Sequence, residues 1–166
     1  MTWTEFLELV NDSAVGTAVR EGATTFIWIE ATHVLTLAIV LGTIMIVDLR
    51  LIGFAAHRRG ARQLMKDMLP FTWVAFVLAV ITGVLLFSSN ALTYWDSNPF
   101  RWKLAAIALA GLNMAFFHLT AYRRIADWDD ALPPPTMARI AGLTSLGLWI
   151  LVAFLGRWIG FSPPMV

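Results

Sequence analysis

The sequence contains no cysteine and is poor in charge. Its 166 residues include 12 lysines and arginines and 11 aspartates and glutamates, so only 14% of the chain is charged. The absence of cysteine excludes disulfides, thiolate metal sites, iron–sulfur clusters and covalently attached c-type haem. A net charge of +1 gives no electrostatic reason to expect nucleic-acid binding. A glycine-rich phosphate loop, an H-E-x-x-H zinc motif and a nucleophile elbow are missing as well.

What the sequence has instead is apolar character. It is 58% hydrophobic with a mean hydropathy of +0.71, whereas a soluble domain carries roughly a quarter of charged residues. Four apolar stretches, at residues 24–54, 70–87, 100–122 and 137–159, are each near the roughly 20 residues that a membrane helix needs. The sequence therefore predicts an all-α integral membrane protein, an up-down-up-down four-helix transmembrane bundle over residues 22–166.

The segment before the bundle, residues 1–21, is predicted to be an amphipathic interfacial helix region. Trp3 and Phe6 alternate with Glu5 and Glu8, and either Asp12 or Ser13 can cap a second short helix. An ordinary helix packed on the end of the bundle is an equally good interpretation. Further along, we expect a basic loop over residues 53–67, a second span opened by Pro70 and a stiff proline-rich linker before the fourth span.

The basic residues predict the orientation. Eight of the 12 lysines and arginines lie in or beside the first and third loops, and four lie towards the other side. Basic loops stay in the cytoplasm. We therefore expect a multi-pass protein of the bacterial inner membrane with both termini in the periplasm. Membrane lipid is the expected surroundings, and a homo-oligomer or a larger complex is a further expectation.

The first span carries ionisable side chains, which are costly inside a bilayer and mark functional sites. At about 1.5 Å per residue, His33 lies about 13 Å from the periplasmic edge and His118 of the third span about 27 Å. One iron bound by both histidines is therefore not favoured. Lys103 lies near the level of His33, so these two can share a site, with Glu30 as a partner or proton carrier. His57 is interpreted as an ordinary loop histidine.

His118 lies instead at the level of Asp48 and Arg50. There the carboxylate can orient the imidazole, and the guanidinium can hold a haem propionate. A purely structural network of these three side chains is the alternative. Haem b fits a helical bundle because it needs only one or two ligands, whereas zinc or copper needs three or four close ones. The candidate ligands are His33, His118 and Lys103, and the candidate propionate partners are Arg50 and Arg101.

These residues form a pattern that resembles HemJ-type protoporphyrinogen oxidases and the related CopD-like membrane proteins. The matching positions are His33, Gly42, Arg50-Leu51 and His57 in the first span, Thr82-Gly83 in the second, and Trp102-Lys103-Leu104 and His118 in the third. The chain is also similar to small bacterial four-span proteins with a D-L-R-L-x-G motif, here Asp48 to Gly53. The resemblance implies that His33 and Lys103 serve haem b. The Asn-Glu-x-Pro element that precedes the fourth span of HemJ-type proteins is absent, so the resemblance favours haem binding over oxidase activity.

Three functional hypotheses follow. The first is a haem b-binding protein that transfers electrons, with quinone or a periplasmic redox protein as its partner. The second is a membrane enzyme that oxidises protoporphyrinogen. The third is a cofactor-free membrane subunit or transporter with a buried network of Asp48, Arg50 and His118.

Overall fold

The computed structural model describes residues 1–54, 59–129 and 133–161, and no β-strand occurs among them. The helices in chain order are α1 (Trp3–Asn11), α2 (Ala14–Glu21), α3 (Ala23–Ile52), α4 (Ala61–Ser89), α5 (Ala91–Asp96), α6 (Asn98–Leu119), α7 (Ile125–Trp128) and α8 (Thr136–Ile159), with a 3-10 turn at Tyr122–Arg124. The helices α3, α4, α6 and α8 lie in the four segments that are long and apolar enough to cross a membrane. The predicted four-helix membrane bundle is confirmed.

Neighbouring spans run in opposite directions. α3 packs against both α4 and α8, and α6 packs against α8. His33 near the start of α3 meets Gly83 near the end of α4, and Asp48 near the end of α3 meets Gly142 near the start of α8. We call the end where α3 begins the terminal end, and the opposite one the loop end. Over the described residues α4 and α6 are not a packed pair, and a crevice lies between them.

Most helix boundaries follow the sequence signals, but the start of α4 does not. The predicted loop to Asp67 and the predicted helix start at Pro70 were wrong, because α4 already begins at Ala61. A proline inside a helix removes one backbone hydrogen bond, here to the carbonyl of Lys66. Lys66 and Pro70 are both exposed near the loop end, where water or lipid head groups can satisfy that carbonyl. Leu64 and Met65 are buried, and their packing keeps this first stretch helical.

The N-terminal helices are fixed to the terminal end of the bundle. Thr2 caps α1 in a capping box with Glu5, and Ser13 caps α2 as predicted. α1 packs on α5, where the rings of Trp3 and Trp95 lie 4.8 Å apart. α2 packs on α4 and α3, and Arg20 donates hydrogen bonds to backbone carbonyls at the ends of α1 and α4. The amphipathic segment thus has its own contacts with the bundle.

At the loop end, one arginine ties together the two long connections. α3 ends at Gly53, whose φ of +86° is the left-handed conformation that favours glycine. Arg50, only 1% exposed, donates from Nε to the carbonyl of Arg59 at 3.0 Å and from Nη2 to the carbonyl of Asp129 at 2.8 Å. The Asp129 carboxylate in turn accepts the backbone N–H of Arg62 at 2.7 Å. The first and third connections are therefore held by α3 itself.

We predict that Arg50→Met lowers the stability of the bundle more than Arg139→Met does. The Arg50 change leaves two carbonyls without their donor, which costs about 2–4 kcal/mol in total, whereas Arg139 is exposed on α8. Thermal unfolding in detergent, followed by circular dichroism, measures both variants. Equal melting temperatures for the two variants would contradict the structural role of Arg50.

A second prediction concerns the contact between α3 and α8. A side chain at Gly142 would place its Cβ 3.0 Å from the Asp48 carbonyl oxygen and 3.0 Å from Leu51 Cβ, whereas a Cβ at Gly147 meets no described atom within 4 Å. Gly142→Leu is therefore expected to destabilise the protein by about 1–3 kcal/mol, the usual cost of overpacking. Gly147→Leu on the same helix is the matched control and should leave the melting temperature unchanged.

Candidate functional site

His33 lies half-buried on α3 with one ring nitrogen fixed. Its Nδ1 is 2.9 Å from the Thr82 hydroxyl on α4. That hydroxyl also lies 2.7 Å from the carbonyl of Leu78, one turn earlier in its own helix. A hydroxyl has a single proton and a carbonyl can only accept, so the Thr82 proton goes to Leu78. The His33 Nδ1–H then donates to Thr82, and Nε2 keeps its lone pair.

The neighbour of Thr82 shapes the same contact. A Cβ at Gly83 would come within 3.1 Å of His33 Cε1, closer than side chains normally approach. The Thr82-Gly83 pair therefore both holds the imidazole and makes room for it. Glu30, by contrast, is exposed at the terminal end. Burial raises the pKa of the Tyr94 phenol on α5, and the nearby Glu30 carboxylate raises it further, which locates Glu30 beside α5.

Lys103 reaches the level of His33 from the opposite side of the bundle. It is half-buried on α6 and lies against α8, where a Cβ at Gly156 would be 3.5 Å from its Nζ. Its ammonium is within electrostatic range of the His33 imidazole. Arg101 lies half a turn earlier, exposed, and donates from Nη2 to Asn98 Oδ1 at 2.6 Å. The terminal half of the bundle thus brings together His33, Lys103 and, at its rim, Arg101.

The nitrogen donors of this corner belong to His33 and Lys103. An imidazole and an amine come from two different helices, and each packs against a glycine, His33 against Gly83 of α4 and Lys103 against Gly156 of α8. In the part of the chain that the structure describes, no group of three histidine, aspartate or glutamate side chains could hold a metal ion. A porphyrin supplies four of the iron ligands itself, so two protein donors suffice.

Asp48 and His118 lie at a second level, nearer the loop end. Both line the crevice between α4 and α6, which has a volume of about 200 Å³. Asp48 is 4% exposed, is hydrogen-bonded to the Ser145 side chain, and has no partner for Oδ2 among the described residues. The His118 Nδ1 lies 2.8 Å from the carbonyl of Met114. That carbonyl can only accept, so Nδ1 carries a proton and donates to it.

Arg50 does not join these two residues. It is absent from the described lining of the crevice, and its guanidinium is committed to the loop carbonyls. Two positions along a helix rotate a side chain by about 200°, so Asp48 and Arg50 face nearly opposite sides of α3. The predicted network of Asp48, Arg50 and His118 is therefore not assembled as a unit. His57 lies outside the described residues.

Two site features were missed by sequence reasoning. Ser145 on α8 and Asn113 on α6 line the crevice, and Asn113 Nδ2 donates to the Ala141 carbonyl at 2.9 Å, which joins α6 to α8. Single serines and asparagines in apolar helices carry no spacing signal. Thr82, in contrast, stood in the Thr-Gly pair of the resemblance, although its hydrogen bond to His33 was not predicted.

Comparison with known proteins yields a family but no named relative. No curated protein and no solved structure matches the chain. One family of unknown function, DUF6644, matches residues 6–162, nearly the whole length described above. The chain is a member of the DUF6644 family.

Proposed function

We propose that the protein binds haem b and transfers electrons within the membrane, with the haem held at the terminal end between His33 and Lys103. The observation that carries the proposal is the His33 ring, whose Nδ1–H is engaged by Thr82 so that Nε2 is left as a ligand atom. Metal-binding histidines characteristically donate their other ring N–H in this way. When bound, haem b supplies one-electron oxidation and reduction.

The residues around His33 have separate tasks in this proposal. Thr82 fixes the tautomer and the orientation of the imidazole. Lys103 offers a second nitrogen from the opposite wall, and the glycines Gly83 and Gly156 let the His33 and Lys103 side chains pack closely against α4 and α8. Arg101, exposed at the membrane surface, can bind a propionate through a charge-assisted hydrogen bond. Arg50 is left out, because it lies about 25 Å further along α3 and is committed to the loops.

His118 is not the second ligand of this haem. It lies 15 residues beyond Lys103 on the same helix, a rise of about 22 Å. The crevice that it lines, about 200 Å³, is smaller than the roughly 300–1,000 Å³ of sites for drug-sized ligands, and a tetrapyrrole is at least that large. This separation and this volume argue against His118 as the second ligand.

The orientation decides which partners can reach the haem. Seven described basic residues lie at or near the loop end, namely Arg50, Arg59, Arg62, Lys66, Arg123, Arg124 and Arg139. Fewer lie at the terminal end, so we propose that the loop end is cytoplasmic and both termini are periplasmic, in a bacterial inner membrane. His33 and Lys103 then lie in the periplasmic half. A quinone in the membrane or a periplasmic redox protein is the partner that this depth allows.

We predict a haem b signal in the reduced-minus-oxidised spectrum of the detergent-purified, haem-supplemented protein. His33→Ala should abolish that signal and Lys103→Ala should weaken or shift it, because each removes a nitrogen donor. His118→Ala should keep it. A colourless wild-type protein would favour the cofactor-free hypothesis, and loss of the signal in His118→Ala alone would contradict the choice of site.

A finer prediction tests the tautomer argument. Thr82→Val keeps the shape of the side chain but removes the acceptor for His33 Nδ1–H, so haem affinity should fall by about 10–100-fold, as for other outer-shell partners. Thr72→Val is the matched control. Thr72 is also a buried threonine of α4, but it donates to Thr43 at 2.8 Å. Haem titration followed by absorbance gives both affinities, and equal losses would remove the special role of Thr82.

A further inference from the structure

We propose that the crevice between α4 and α6 binds the head group of a quinol, a single aromatic ring with two hydroxyl groups. The volume of about 200 Å³ sets the size of the occupant. An apolar cavity of about 150 Å³ is known to hold benzene, so this crevice takes one substituted six-membered ring. The proposal needs no haem and stands independently of the site at His33.

The walls of the crevice suit a flat apolar ring. Its lining is almost entirely apolar, and aromatic side chains form one side of it. The ring of Phe76 lies edge-on to Trp73 at 6.1 Å and to Trp149 at 6.3 Å, which is the separation of interacting aromatic pairs. Trp73, at 49% exposed, lies at the open side.

The direction of access selects a lipid-soluble ligand. α3 is packed on both α4 and α8, and α6 on α8, whereas α4 and α6 are not a packed pair in the described part of the chain. The crevice therefore opens sideways between α4 and α6, at a depth where the surroundings are hydrocarbon. A molecule that dissolves in the membrane reaches it without passing through water.

Two polar side chains, Asp48 and His118, bring hydrogen-bonding atoms to the crevice. Asp48 Oδ2 has no partner among the described residues although the side chain is 4% exposed, and a buried polar atom without a partner is costly. On the α6 side, His118 also lines the crevice, and because its Nδ1 donates to Met114, Nε2 is the ring nitrogen left to meet a ligand. A quinol carries a hydroxyl donor on each side of its ring. The hydrocarbon tail of a lipid, in contrast, has no hydrogen-bond donor for Asp48.

The test uses isothermal titration calorimetry under anaerobic conditions on purified protein without added haem. The probes are methylhydroquinone, the corresponding benzoquinone, and p-xylene as a ring of similar size without hydroxyls. We expect one quinol per chain. The quinol should bind at least about tenfold more tightly than the quinone, whose carbonyls cannot donate to Asp48, or than p-xylene.

Two variants and one control locate the site. Gly111 lines the crevice and a Cβ there meets no described atom within 4 Å, so Gly111→Leu can fill the crevice without a clash and should weaken quinol binding at least tenfold. Gly147→Leu adds the same side chain at an equally open position on α8, outside the crevice lining, and should bind like wild type. Asp48→Asn should lower quinol affinity while quinone affinity is kept or raised, because an amide can donate.

Three results would overturn the proposal. They are the absence of one-to-one quinol binding in the wild type, unchanged binding in Gly111→Leu, and p-xylene binding as tight as quinol binding, which would show a plain apolar void. Melting temperatures of the variants confirm that each is folded. Every titration is run without haem, so a failure of quinol binding does not affect the haem proposal for His33. Equally, a protein that binds no haem does not affect the quinol proposal.

Discussion

The constraint on which this structure depends is the absence of water around the membrane-spanning helices. A polar group there must find its partner inside the protein. The threonines of α3 and α4 meet this requirement locally, since Thr36, Thr43 and Thr82 each donate to a carbonyl three or four residues earlier. Arg50 meets it at long range through the carbonyls of Arg59 and Asp129. In both cases the hydrogen bond that satisfies the polar group also stabilises the fold.

The same constraint separates structural polar groups from functional ones. Arg20 and Asn113 donate to backbone carbonyls of other helices, and these bonds account for their positions. At His33 the hydrogen bond to Thr82 engages Nδ1, and at Asp48 one carboxylate oxygen has no partner among the described residues. The buried Nη1 of Arg50 has none there either, so a missing partner does not by itself mark a site. Asp48 differs from Arg50 because it lines the crevice between α4 and α6.

Much of the fold could be predicted from the sequence, because hydropathy and capping are local properties. The four spans and the Ser13 cap of α2 were predicted within a few residues, whereas the start of α4 was missed because Pro70 gives a strong local signal that burial of Leu64 and Met65 overrides. A similar depth for His33 and Lys103 was predicted from the helical rise per residue, and the resemblance implied the same pair of residues. The task of Arg50 could not be predicted, since its partner Asp129 lies 79 positions away. The crevice depends on which helices do not pack, and no local pattern encodes that.

The two proposed sites share α3, and this gives the helix its particular composition. His33 and Asp48 are 15 residues apart, about 22 Å along the axis, and that interval has to be apolar to remain in the membrane. α4 reaches both levels as well, with Thr82 and Gly83 at one and Phe76 and Thr72 at the other. Because α3 packs on α4 along this length, the imidazole and the crevice are positioned by one rigid pair of helices. α6 is held mainly through α8, so its distance from α4 can differ without disturbing that pair. The opening of the crevice thus lies at the contact that the bundle constrains least.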